Sequence, residues 1–548
     1  MSGDKRVFAS FVASFERDGL SNSPPATIYG LDVFVTRFIR NLLRYGDYDE
    51  FHFFCRGPAA PLQEGELLAS DPRIRLRRLH EFGSAADETG YAILHNPWTP
   101  DIGPWTELRN RVCAQSVPVT GMTHTVSYHS FLPRVLATMM LGPRAFDSIV
   151  CSSECGRTVM RNWISHLCLE FGEQMGRPIT FDGRLDMIPI GIDSEEFIPR
   201  DHAPLRQRLA LPQDRTLLLY LGRFSAYDKM DLAPLLLAFK LASRAQCDRQ
   251  LFLVLAGSAG RFDYAGELSQ LVRDMQLADS VEIRTNVPAA DIPSLYAAAD
   301  IFVSPSDNVQ ETFGQSLIEA MASGLPVVCS DWNGYREIVV EGETGFLIPT
   351  YWVECGRQIS DYAGMSEWLT DHFLLAQSVS VDVRHMAAAI ASLGASPERR
   401  ADLGERGRRR AIAHYDWRVV IRRYVDLWNE LGRIASREAS SSRQARQGSW
   451  YRPDLFGVFR HYCTTVLSDA ATVRLNDDAT VPPAPLTAAQ SQLLRTALLQ
   501  SIARHAVTDI SIADLQKRVV ASTACSADDF RLHLLWLSKY DAITLTPR

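Results

Sequence analysis

Two glutamates, Glu311 and Glu319, stand with seven residues between them in the run SPSDNVQETFGQSLIEAMASGLPVVCSDWNGYREIVVEGETGFLIPT, residues 304–350. Glu311 opens a turn that contains Gly314, and Glu319 falls in a short apolar helix expected over residues 315–322, with an apolar strand at 326–329 directly after it. A carboxylate accepts two hydroxyl hydrogen bonds from a vicinal diol, so both sugar rings of a sugar nucleotide suit such a pair. Backbone N–H groups of Thr312, Phe313, Gly314 and Gln315 open that helix and can receive phosphate. A plainer arrangement is a helix-capping Glu311 with Glu319 on the surface. Glu319 lies among Leu317, Ile318, Ala320 and Met321. A buried unpaired glutamate costs several kcal/mol, which favours a ligand diol as its partner.

A second set of charges lies upstream. The strand expected at 217–221 ends in Gly222-Arg223, and Lys229 follows six residues after Arg223, near the start of the next helix. A diphosphate needs cations beside it, most of all as it leaves. Arginine offers a planar fork and lysine a compact charge. Taken alone, this stretch is equally a strand-end turn with two solvated cations.

These residues need a frame. Strand-like runs at 6–15, 51–55, 74–79, 91–94, 116–122 and 148–152 alternate with helical spacing, such as Leu31, Phe34, Phe38, Leu42 and Leu43, and a helix at 154–168. A second series places strands at 217–221, 251–256, 281–284 and 301–304, with helices at 232–245 and 292–299. Strands alternating with helices imply parallel, doubly wound α/β sheets, whose ligands lie at the carboxyl ends of the strands. Residues 350–382 break the rhythm and read as an insertion. Helices at 397–410 and up to Leu431 follow, and the Ser/Arg-rich residues 436–449 are the linker candidate.

The chain has 548 residues, more than one ordinary core. A net charge of -7 gives no global pull toward nucleic acid or an anionic membrane. No apolar stretch approaches the roughly 20 residues of a spanning helix, and the N-terminus lacks the long apolar region of a secretory signal. The ten cysteines are scattered, with Cys151 and Cys155 as the one close pair. No zinc site is expected, and a reduced, cytoplasmic chain is.

The pattern E-x-F-G-x-x-x-x-E-A-M-A-x-G-x-P-V-V resembles the signature of the retaining glycosyltransferases of family 4. Residues 188–199 (IPIGIDSEEFIP), Gly222-Arg223 with Lys229, Leu255-Ala256-Gly257, Tyr296 to Asp300, and residues 333–347 resemble further pieces of that family in the same order. The resemblance is dense from about 187 to 349 and resumes at 415–431. It implies the GT-B fold, two facing Rossmann-like domains, and transfer of a hexosyl group from a nucleotide diphosphate sugar to an acceptor hydroxyl with retention. It implies that Arg223 and Lys229 stabilise the diphosphate, that Glu311 contacts the donor sugar, and that Glu319 holds the ribose. Phe313 and Gly314 present N–H groups, Gly222 belongs to the same diphosphate-binding turn, and Gly257 lines the nucleobase pocket. No metal and no cofactor is implied, because the cations replace the metal. The final helix of the catalytic unit is expected to return to the N-terminal domain.

The resemblance also implies a Gly-rich acceptor loop after the first strand, where only Gly30 is a candidate, and a histidine facing the donor sugar. His124 is the first choice for that role and His95 the second; a lone histidine is otherwise a satisfied structural residue. Ser153 and Glu154 suit a helix N-cap or an interface.

The expected domains are residues 1–187 (acceptor), 188–412 (nucleotide sugar, with an insertion at about 350–385), a returning helix at 413–433, a linker at 434–450, and an appendage at 451–548. That appendage reads as helices at 486–504, 512–520 and 526–540 with a terminal strand at 543–547, a winged-helix-like pattern. Its balanced charge favours protein contact or oligomer formation over nucleic acid. Arg-rich patches at 406–410, 418–423 and 433–446 are expected to be solvated; peripheral contact with a lipid-linked acceptor is the other use, beside glycan or small-molecule acceptors. Two alternatives stand: a disaccharide synthase or phosphorylase, and a catalytically silent scaffold acting through its C-terminal module.

Overall fold

The computed structural model describes residues 5–12, 30–55, 71–245, 250–260, 262–354, 356–365, 369–438, 450–477 and 483–547. Compactness divides the chain into two units, residues 1–54 with 63–444 and residues 55–62 with 445–548. Both large parallel sheets lie in the first unit.

Strands β1 (Val7–Val12), β2 (Glu50–Cys55), β3 (Ile74–Arg78), β4 (Ile93–Asn96), β5 (Val119–Met122), β6 (Ser148–Cys151) and β7 (Arg184–Met187) form one sheet among the described residues. Its order is β3-β2-β1-β4-β5-β6-β7, with β1–β4, β4–β5, β5–β6 and β6–β7 parallel. Strands β8 (Thr216–Leu221), β9 (Leu251–Gly257), β10 (Val281–Thr285), β11 (Ile301–Ser304), β12 (Val327–Ser330) and β13 (Gly345–Ile348) form the second, in the order β10-β9-β8-β11-β12-β13, parallel throughout. Both sheets reverse direction of winding in the middle, between β1 and β4 and between β8 and β11. Strands β4, β5, β6, β11 and β12 are buried along their whole length, as sheets covered on both faces require.

Local sequence explains the element ends. The expected strand at 116–122 begins only at Val119, after Pro118, which has no N–H to give a ladder. β4 runs two residues further than its apolar run predicts and takes in His95 and Asn96. The expected strand at 6–15 is present as Val7–Val12, and residues 13–29 lie outside the described residues. The helix Glu154–Met175 is capped by Ser153, whose Oγ accepts from Gly156 N–H at 2.9 Å, and stops at Gly176 with φ 61°.

The helix Pro397–Tyr415 packs chiefly on the helix Gln315–Ala322 of the second sheet's domain, and its successor Trp417–Arg437 leaves it. Asp416 caps that last helix through Arg418 N–H. Its face of Trp417, Ile421, Tyr424, Trp428 and Leu431 is buried with Phe8, Phe38, Ile93, Met122 and Val150 of the first sheet's core. Residues 350–382 hold β14 (Thr350–Trp352) and β15 (Val379–Val381), an antiparallel ribbon, with helices Arg357–Tyr362 and Thr370–Gln377 between them.

In the second unit, β16 (Thr472–Leu475), β17 (Ile510–Ser511) and β18 (Ile543–Thr546) make an antiparallel sheet in the order β17-β16-β18. Helices Thr496–His505, Ile512–Ser522 and Ala527–Lys539 share a core of Leu499, Leu515, Phe530, Leu534 and Leu537 with its Val473 and Ile543. Two expectations are corrected here. The helix expected over 486–504 is two pieces, Ala488–Leu493 and Thr496–His505, and Arg495 N–H between them donates to His533 Nε2 at 2.8 Å. β16, too short to show periodicity, was not expected.

Candidate active site

The second sheet's winding reverses between β8 and β11, which opens a crevice at their carboxyl ends. Gly222 and Arg223 leave β8, and residues 305–314 leave β11, so the two charged stretches read from sequence meet there.

Lys229 Nζ lies 2.6 Å from Glu311 Oε2, with both side chains largely buried. Burial pushes the Glu311 carboxyl up, but the Lys229 ammonium and the N–H groups of Thr312 and Phe313 outweigh it, and the net shift is downward. The carboxylate is therefore ionised and held. Arg223 donates through Nη2 to the Asp228 carboxylate at 2.8 Å and to the Asp228 carbonyl at 3.0 Å. Its Nε–H is buried without an acceptor, a donor left for something else to satisfy. Lys229 reaches Glu311 by passing over Gly222, where a side chain would meet Tyr220 and the lysine's own stem. Gly257 ends β9 against the Gly222 carbonyl oxygen, with which any side chain at 257 would overlap. Its structural duty is thus close packing of two strand ends.

The Glu311 turn is tied to the first sheet. Thr312 Oγ1 donates to the His124 carbonyl at 2.6 Å, and Ser153 Oγ donates to the Thr312 carbonyl at 2.6 Å. Glu337 accepts from the N–H groups of Glu154 and Cys155, both at 2.8 Å, at the start of the helix that Ser153 caps. An anion at a helix N-terminus is favourable. Gly314 has φ 120° and lies against the Tyr335 ring, so the turn admits only glycine there.

Several expectations are adjusted. Phe313 N–H donates to Glu311 Oε1 at 3.3 Å, so it and Thr312 N–H serve the protein's own carboxylate, while Gly314 and Gln315 open the helix. The Phe313 ring is buried in the second sheet's core. His124 sits at the seam, and its Nε2 lies 2.7 Å from the Pro97 carbonyl, to which it donates. Burial pushes it down to about 4, so the ring is neutral near pH 7. His95, the second choice, is a core residue of β4: it bonds Thr120 Oγ1 at 2.8 Å among Phe38, Tyr424 and Trp428. Gly30 opens the helix Gly30–Tyr45, and the residues before it, where an acceptor loop is expected, lie outside the described residues.

Glu319 is not on the surface; it is 7% exposed. It accepts from Tyr296 OH at 3.0 Å, Gln315 Nε2 at 3.1 Å and Arg37 Nη1 at 3.3 Å. Burial pushes its carboxyl up, and Arg37 only partly offsets this. Arg37 also reaches Glu196 at 3.1 Å. The two glutamates, expected to share one ligand, are thus drawn to different cations, Lys229 and Arg37. The sequence does not mark Arg37 as a site residue, because it stands on an apolar helix 282 positions before Glu319.

Asp307 was also missed. It is 3% exposed and accepts from Asp231 N–H at 3.3 Å. Burial, then the Asp231 carboxylate, push it up to about 8. An acid raised on folding is protonated in the native chain and ionised in the unfolded one, so its contribution to stability falls as pH rises from the ordinary aspartate range toward 8. Asp307→Asn should therefore stabilise the protein more at pH 8 than at pH 5. Urea unfolding at the two pH values checks this; equal changes at both would place a charged Asp307 in the native state.

Among the described residues, no group of three or more His, Cys, Asp or Glu side chains is placed to hold a metal ion, and no helix is long and apolar enough to cross a membrane.

A family model described as glycosyl transferases group 1 matches residues 201–359. Over 204 residues, 37% of this chain and 44% of the relative, the sequence is 31% identical to a D-inositol 3-phosphate glycosyltransferase of Acidothermus cellulolyticus. The matched chain thus spans less than half of that relative's length. It is 24% identical over 425 residues to an alpha-maltose-1-phosphate synthase of Mycolicibacterium smegmatis, covering 74% of this chain and 97% of that protein. Among solved structures, a sucrose-phosphate synthase from Thermosynechococcus elongatus superposes with a TM-score of 0.52 at 21% identity, over 78% of this chain and 100% of that one. HepE from Anabaena, in complex with UDP, gives a TM-score of 0.52 at 17% identity, over 77% and 98%. Residues 201–359 thus carry a glycosyl transferases group 1 match, and the two-sheet unit around them has the GT-B fold.

Proposed function

We propose that this chain is a retaining glycosyltransferase that moves a hexosyl group from a nucleoside diphosphate sugar to an acceptor hydroxyl. The observation that carries this is the cluster at the switch point of the second sheet: Lys229 on Glu311, with the unsatisfied Arg223 Nε–H beside it. In the transfer, the bond from the anomeric carbon to the diphosphate oxygen breaks and its electron pair leaves with the diphosphate. The acceptor oxygen bonds to that carbon, and its proton passes to a phosphate oxygen. Negative charge grows on the leaving group, where Arg223 and Lys229 offset it without a metal. Glu311 holds Lys229 in place and can accept a hydroxyl of the sugar. Among the described residues no carboxylate is taken as the nucleophile, which leaves attack and departure on one face. Glu319, already desolvated, takes the ribose diol when Arg37 yields it.

The test is thermal unfolding with UDP, GDP and ADP. One of them should raise Tm; at a hundred times its Kd the gain is about 2.7 kcal/mol. Glu319→Ala should remove most of that shift, and EDTA should not change turnover. No shift with any of the three would remove the nucleotide site.

A further inference from the structure

The helix Thr370–Gln377 belongs to the stretch that interrupts the α/β rhythm, and it touches both walls of the crevice. On the donor wall, Phe373 stacks on Tyr227 with ring centroids 4.6 Å apart, and Tyr227 lies 4.7 Å from Phe262. Gln377 Nε2 donates to Asp231 Oδ2 at 3.2 Å. Tyr227 and Asp231 flank Lys229, so the loop carrying both site cations is held at two points. On the other wall, His372 is 1% exposed. Its Nδ1 lies 2.9 Å from Asp371 Oδ1 and its Nε2 2.8 Å from Ser127 Oγ. The Asp371 carboxylate can only accept, so it takes Nδ1–H, and Nε2 accepts from the Ser127 hydroxyl. Beside it, the Tyr128 ring lies 5.2 Å from the imidazole, and Tyr128 OH accepts from Gln310 Nε2 at 3.0 Å. Gln310 immediately precedes Glu311. Gly364, with φ 79°, backs onto the His129 ring, so the same loop meets this stretch twice.

We infer that His372 is a positioning residue for the proposed transfer. It pins the loop 123–131 against the Glu311 turn and the Lys229 loop, and so keeps water from the donor's anomeric carbon. This rests on the glycosyl-transfer reading above. Water can replace the acceptor with the same balance of bonds: its oxygen joins the anomeric carbon, the diphosphate leaves with the electron pair, and free sugar and a proton result. Walls held together exclude that competitor, and walls that part admit it. Asp371 fixes the imidazole tautomer, and the aromatic stack sets how far the helix can move.

The experiment compares the full-length wild type, His372→Ala and His372→Gln. Amide exchange is followed in residues 123–131 and 223–231, and UDP release from UDP-glucose is followed with no acceptor present. His372→Ala should speed exchange in both loops on the order of tenfold, the effect of one lost hydrogen bond. It should raise acceptor-free UDP release several-fold and leave UDP affinity within about twofold of wild type. His372→Gln keeps a polar group opposite Ser127 and should return both readouts toward wild type. Faster exchange confined to residues 370–377, or loosened loops with unchanged UDP release, overturns the inference. If neither wild type nor variant turns over UDP-glucose, the donor reading fails for that sugar nucleotide, and exchange in the two loops alone decides the role of His372.

Discussion

Lys229→Ala should lower transfer by about 10²–10³-fold in kcat while the chain still folds, because removing one preorganised stabiliser of a developing charge has that effect. Lys229 is the ammonium 2.6 Å from Glu311, and among the described residues no second cation contacts that carboxylate. Glu311→Ala should cost as much, since it releases Lys229 and removes the acceptor proposed for a sugar hydroxyl. The double variant should be little worse than either single one, as for groups that act as a unit. Stability also depends on the pair. The Glu311 carboxyl is lowered on folding, so its contribution is present above the unfolded carboxylate's range and is lost as pH falls through the folded value. Lys229→Ala should therefore flatten the acid side of the stability profile. Initial rates on the donor found by thermal unfolding, with urea titrations at pH 4 and 7, check both parts. Wild-type turnover in either single variant would remove that residue from the reaction.

Arg109→Ala should destabilise the protein by about 3–5 kcal/mol, the cost of leaving a buried charge without its partner. Arg109 and Asp147 have side chains 2% and 0% exposed. The guanidinium is bidentate, with Nη1 at 2.5 Å and Nη2 at 2.8 Å from the two carboxylate oxygens. It also donates to the Val117 carbonyl at 2.8 Å. Asp147 accepts from the N–H groups of Val119 and Arg144 as well. The pair thus sets where β5 and β6 begin, and these strands lead toward His124 and Ser153 at their far ends. Asp147→Ala should be comparable, since the Arg109 guanidinium and the N–H groups of Val119 and Arg144 lose one shared acceptor. A fall in urea midpoint equivalent to less than about 1 kcal/mol in both variants would mean that water replaces the lost partner.

The link from this pair to the site shows why distant charges matter. His124 and Ser153 hold Thr312, and Thr312 adjoins Glu311. Loss of strand register in the first sheet would move that seam by fractions of a strand residue. Binding is then expected to suffer less than transfer, because the nucleotide's proposed contacts lie on the second sheet.

Much of this protein was legible from local pattern. Apolar runs, most of them ending in small or polar residues, identified most strands of both sheets, because a strand buried on both faces can carry little else. The spacing from Glu311 to Glu319 placed a turn and an eight-residue helix correctly, since Gly314 must adopt a left-handed φ and Gly324 ends the helix with φ 82°. Arg223 and Lys229 were recognisable from their place after a strand end. The amphipathic face of Trp417–Arg437 announced a buried helix. Strand limits were less legible: β4 continues through His95 and Asn96, whose burial depends on neighbours far along the chain, and β16 is too short for its period to register.

Partner choice was decided by tertiary structure alone. Sequence determined that Glu311 and two cations belong to loops at the carboxyl edge of one parallel sheet, with Glu319 on the helix that follows, because strand ends and helix starts follow from nearest-neighbour chemistry. Only the packed chain decided that Lys229 faces Glu311, that Arg37 crosses from the other sheet to Glu319, and that His372 reaches Ser127, 245 positions away. A charge in a low-dielectric interior takes whatever opposite group the fold brings within about 3 Å, and sequence distance does not enter that energy.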